Sequence, residues 1–106
     1  MQFKDYLATF PNIDHLSGLD VRNQAGEVIH HIPAIEGKLG SLKLYNALSA
    51  QFNGKLTASA AQQGLEWFAE HVEDAKQHQG KHPNIDLLFN VIKEDQTLDL
   101  VPVEKA

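Results

Sequence analysis

No cysteine occurs among the 106 residues, which excludes a disulfide framework, a thiolate metal site and a cysteine nucleophile together. No Gly-x-Ser-x-Gly elbow is present either, and the serines read as helix caps or helix-surface residues. Long hydrophobic runs are missing: nothing approaches the roughly 20 apolar residues that cross a bilayer. The opening Met1-Gln2-Phe3-Lys4-Asp5-Tyr6 puts an acid where a signal peptide needs an apolar stretch, so cytoplasmic residence is expected. Basic residues are few and dispersed, 9 Lys and Arg against 14 Asp and Glu for a net charge of −5. Without a basic stripe to neutralise phosphates, nucleic acid is not an expected partner, and neither is a membrane. The acidic excess argues for solubility.

What is present suits one domain with one core. The chain is 42% hydrophobic and 22% charged, near the globular average, and 106 residues leave no room for a second core. Phe3, Leu7 and Phe10 mark one face of a short helix that Pro11 ends. Leu19-Asp20-Val21-Arg22 alternates as a strand, and Val28-Ile29-His30-His31-Ile32 has the β-branched richness of a second. Between them Asn23 to Gly26 suits a hairpin turn that closes on a left-handed glycine.

Ser41 is the expected N-cap of a helix carrying Leu44, Tyr45, Leu48 and Phe52, with Gly54 as its stop. A third helix is predicted from the capping-box pair Ser59 and Gln62 through Leu65, Phe68, Val72 and Ala75 toward Gly80, with Gly64 weakening it. Pro83 opens a fourth, whose stripe is Ile85, Leu88, Phe89 and Ile92. Thr97 to Val101 alternates as a last strand, and Pro102 marks an edge or a strand end. The expected class is α+β: a small antiparallel sheet, hairpin plus C-terminal strand, packed against three to four helices in the order α-β-β-α-α-α-β. Pro11-Asn12-Ile13-Asp14 recurs as Pro83-Asn84-Ile85-Asp86, and shared capping chemistry explains the echo.

Gly40-Ser41-Leu42 with Tyr45 and Leu48, Glu70-His71 with Asp74-Ala75, and Lys81-His82-Pro83-Asn84-Ile85-Asp86 together resemble a family of short uncharacterised proteobacterial proteins, a domain of unknown function. The resemblance covers nearly the whole chain. It implies no activity, cofactor or site residue.

Three places invite a functional reading. Gly37-Lys38-Leu39-Gly40-Ser41 follows a strand and opens a helix, the setting in which backbone N–H groups hold a phosphate, although the spacing is not that of a P-loop. Lys38, Gly40 and Ser41 are its candidate ligand-binding residues. On the third predicted helix His71, Asp74 and His78 are i, i+3 and i, i+4 neighbours, a candidate metal set whose bland alternative is a solvated helical flank. The corner after it supplies Lys81, His82 and Asn84 at a helix start, which favours an anionic group and is expected to bring His71, His78 and His82 onto one surface. His30 and His31 point to opposite faces of a strand and cannot easily share an ion; His30 reads as partly buried and hydrogen-bonded.

The leading expectation is therefore a binding or protein-interaction module without catalytic activity. The alternatives are a small histidine-based metal protein or enzyme, and a phosphate-ligand binder through Gly37 to Ser41. A sheet covered on one face leaves Ile29 exposed on the other, so a homo-oligomer or protein partner is expected. The sequence specifies no cofactor.

Overall fold

Alternation sets the inner face of the sheet. In the computed structural model, which describes residues 1–106, β1 (Leu16–Arg22) buries Leu19 and Val21 and β2 (Val28–Pro33) buries Ile32. They pair antiparallel with Leu19 opposite Ile32 and Val21 opposite His30. The hairpin closes as the sequence implies: Gly26 adopts φ +84°, and the Asn23 side chain accepts from the N–H groups of Ala25 and Glu27.

Helices cover one face. α1 (Phe3–Leu7) buries no residue fully, whereas α2 (Leu39–Gln51) lies on the sheet and buries Leu42, Leu44, Tyr45 and Leu48. α3 (Ala58–Phe68) and α5 (Pro83–Glu94) pack on each other, and Gly64 is their close approach: a Cβ there would lie 2.8 Å from a Leu88 methyl and 3.1 Å from one of Leu48. That glycine answers to packing, not to weakness in the helix. No helix is long and apolar enough to cross a membrane.

The class and the order of the main elements agree with the α+β expectation, and four details are corrected. A two-residue strand, β3 (Lys55–Leu56), pairs with β4 (Leu98–Glu104), so the antiparallel sheet runs β2-β1-β4-β3. β4 thus lies between two strands, and the Leu100 N–H donates to Gly54 O at 2.8 Å. Pro102 has the same strand parity, so its missing N–H faces the edge that short β3 leaves uncovered. Ser41 does not cap α2, which starts at Leu39 behind Lys38 because Gly37, at φ +89°, turns the chain earlier. Thr57, not Ser59, caps α3 by accepting from the Ala60 N–H at 3.2 Å.

The predicted third helix is two. α3 ends at Phe68, Ala69 takes φ 52° and ψ −117°, and α4 (His71–Gln77) sets off in a new direction. Unbroken, a helix through Gln77 would extend about 30 Å at 1.5 Å per residue, past the core that Phe68 plugs. The break lets Ala75 pack back into that core.

Candidate functional site

The break at Ala69, the start of α2 and the start of α5 meet around one cleft of about 360 Å³. Each wall follows from local chemistry. Within α2 the first main-chain donor to find an acceptor is Leu42, whose N–H reaches Lys38 O at 3.0 Å. The N–H groups of Leu39, Gly40 and Ser41 are the unpaired donors that every helix start leaves. Gly40 allows Phe3 to lie against this turn, since a Cβ there would sit 3.1 Å from the ring. Phe3 in turn stacks on Phe68, centroids 5.5 Å apart and planes 14° off parallel, and meets His71 edge-on at 5.0 Å.

At the α5 wall Pro83 has no N–H and Asn84 N–H has no acceptor; Ile85 and Asp86 are the first to bond, both to His82 O. His82 occupies the cap position without capping. Its imidazole Nε2 is instead 2.6 Å from Asp74 Oδ2, and Lys81 Nζ is 3.0 Å from the same oxygen. His78 Nε2 lies 3.8 Å from Asp74 Oδ1. The bond from His82 first, then that from Lys81, hold the Asp74 carboxyl down at about 2. His71 completes the corner, its ring centroid 5.9 Å from that of His82.

Beneath the cleft Asn84 is only 7% exposed. Its side-chain Oδ1 lies 2.6 Å from His30 Nε2, and its carbonyl accepts from the hydroxyl of Tyr45. Burial without an ionic partner pushes the Tyr45 phenol far up, so it stays a neutral donor.

The electrostatics run against the rest of the molecule. A chain with 14 acids and 9 bases lines this cleft with Lys38, Lys81, His71 and His82 and with no carboxylate. The two acids bonded to cleft residues are already engaged. Asp74 is held as above, and Glu70 Oε1 accepts the Phe3 N–H at 2.8 Å, a bond that lowers its pKa. Lys38 has no ion-pair partner in the protein.

Every ligand-binding candidate read from the sequence, Lys38, Gly40, Ser41, Lys81, His82 and Asn84, lines this one cleft, although the two segments were separate proposals. Of the candidate metal set, His78 keeps to Asp74 while His71 stands apart, and no group of three or more His, Cys, Asp or Glu is placed to hold an ion. The reason is local: the Lys81 ammonium and His82 occupy the Asp74 carboxylate, while His71 turns to Phe3. His78 still joins His82 around Asp74 but stands outside the cleft lining. His30 is part-buried and bonded, and His31 meets Asp20 at 2.7 Å on the opposite face. Sequence reading missed Phe3 and Phe68 as cleft walls, because apolar spacing alone cannot separate a core ring from a cleft ring.

Comparison with known proteins returns a family model whose description is "uncharacterized protein conserved in bacteria" (DUF2322), matched over residues 3–102. No curated protein and no solved structure matches.

Proposed function

This chain belongs to the bacterial family DUF2322, and we propose that it is a binding protein for a small anionic molecule held in the cleft between the starts of α2 and α5. One observation carries this reading: in an acidic protein the cleft collects two lysines, two imidazoles and unpaired main-chain donors, and no acid. Fixed N–H donors and positive helix ends favour an anion there. Binding without turnover is the reading, since Ser41, the hydroxyl side chain at the cleft, has no hydrogen-bonded base to activate it. Titration with inorganic phosphate tests it by following the amide resonances of Leu39, Gly40, Ser41 and Asn84. Saturable shifts that weaken in Lys38→Ala support the reading; amides that stay put at millimolar phosphate sink it.

A second surface favours self-association, as the exposed sheet edge suggests. β2 is the outer strand of the sheet, its far edge is unpaired, and Val28 and Ile29 are 50% and 47% exposed on it. Such an edge invites pairing with another copy. Sedimentation that shows dimer in the wild type and monomer in Ile29→Lys supports this reading; a wild-type monomer at high concentration ends it.

A further inference from the structure

The Asn84 carboxamide has one end tied and one end free. Its Oδ1 is taken by His30 and its carbonyl by Tyr45, but Nδ2 donates to no protein group. The residue is 7% exposed and lines the cleft, yet this donor is not closed off from solvent and has no group of the protein to bond. Because His30 and Tyr45 hold the residue in place, an oxygen in the cleft would meet an NH₂ donor that is already oriented.

We infer that the bound anion is a phosphate ester and that Asn84 Nδ2 is the group that reads one of its oxygens; this rests on the anion-site reading of the cleft. The donor inventory separates phosphate from carboxylate. The N–H groups of Leu39, Gly40, Ser41 and Asn84, with Asn84 Nδ2 and Lys38 Nζ, exceed the roughly four lone-pair positions of a carboxylate. A phosphate monoester brings three strong acceptor oxygens and a charge of about −1.5 to −2. His30, from the sheet, sets the orientation by donating to Oδ1, which leaves the NH₂ end for the ligand.

The ester follows from size and wall chemistry. A cleft of about 360 Å³ is many times the roughly 30 Å³ share of one water, so a phosphate group alone leaves most of it empty. Phe3, backed by Phe68, provides an apolar face against which an organic group packs.

The test uses the whole ¹⁵N-labelled chain titrated separately with inorganic phosphate, phenyl phosphate, acetate and benzoate. Amides of Leu39 to Ser41 and the Asn84 carboxamide nitrogen are followed together. Expected are shifts at both sites with phosphate, at least tenfold tighter binding of phenyl phosphate, and at least tenfold weaker binding of each carboxylate than of its phosphate counterpart. Carboxylates that match the phosphates overturn the ligand class while the anion site stands. Backbone amides that move while the Asn84 carboxamide stays still overturn the role of Asn84 alone. No response to any probe overturns this inference together with the reading it rests on. Asn84→Asp, which removes the donor and adds a charge, is expected to lose the phosphate response; should it not fold, the wild-type carboxamide signal decides.

Discussion

Tyr45→Phe isolates the bond beneath the cleft, because it keeps the ring and removes one oxygen. Tyr45 is fully buried and its hydroxyl donates to the Asn84 carbonyl. Losing a net hydrogen bond of this neutral type costs about 1 kcal/mol, or roughly 4–8 °C in Tm for a domain near this size. The pH dependence then checks the burial independently. Desolvation raises the folded phenol pKa, so its contribution is intact below the unfolded value of about 10 and is lost as pH rises above it toward the folded value. At pH 11 the unfolded phenol is about ten parts ionised to one, which favours unfolding of the wild type by RT ln 11, about 1.4 kcal/mol. The variant lacks this loss, and every other titrating group is common to both proteins. Urea unfolding followed by circular dichroism should therefore show a deficit of about 1 kcal/mol at pH 8 that closes or reverses near pH 11. A deficit that stays constant from pH 8 to pH 11 refutes a neutral phenol locked in the fold, and no deficit at pH 8 refutes the bond.

Lys38→Ala removes an exposed, unpaired ammonium from the cleft, and a charge-assisted bond of about 1.5–3 kcal/mol corresponds to tenfold or more in phosphate affinity. Calorimetry should show that loss with an unchanged unfolding midpoint. Asp74 should titrate at about 2 by carboxyl ¹³C resonance and move up toward the ordinary range when Lys81→Ala and His82→Ala are combined. Because its folded pKa is lowered, its support for the corner is present above about pH 4 and is lost as pH falls through about 2; an unmoved midpoint in the double variant refutes the assignment. Gly18→Ala would place a Cβ 2.8 Å from the Ile32 carbonyl oxygen, which is fixed in the β1–β2 ladder. Overpacking of this kind costs about 1–3 kcal/mol, read as a lowered urea midpoint, and an unchanged midpoint shows that the strands can spread.

The main elements were legible because their signals are local. Period-two alternation at Leu19 and Val21, the glycine that closes the hairpin, and the stripe Ile85, Leu88 and Phe89 behind Pro83 each report on a single element. The errors fall where tertiary packing overrides a local signal. Ser59 and Gln62 have capping-box spacing, but Thr57 lies two residues earlier and already satisfies the Ala60 N–H. β3 has too few residues to show a period, and it forms because Gly54, at φ +77°, turns the chain after α2 alongside β4. The break at Ala69 carries no glycine or proline. Its positive φ with ψ −117° lies outside the left-handed helical well and costs an alanine about 1–3 kcal/mol, and the packing on both sides, Phe68 in the core and Ala75 against it, accounts for that cost being met.

The same break explains why the candidate site was readable in parts and not as a whole. Residue chemistry marked each part: glycines and a lysine before one helix, a lysine and histidine before another. What joins them is a direction that no local pattern encodes. Had α3 continued straight, His71 would have remained on an outer flank with Asp74 and His78, the arrangement that a helical period implies. Turned at Ala69, α4 delivers His71 to Phe3 and passes Asp74 to the residues that precede α5. The Asp74 carboxylate pairs with Lys81 and His82 beside the cleft, which leaves Lys38 as the lysine of the lining without an ion-pair partner. One strained alanine thus separates two arrangements that the sequence left open, His71, Asp74 and His78 along one continuous helical flank and a corner at which Asp74 joins Lys81 and His82.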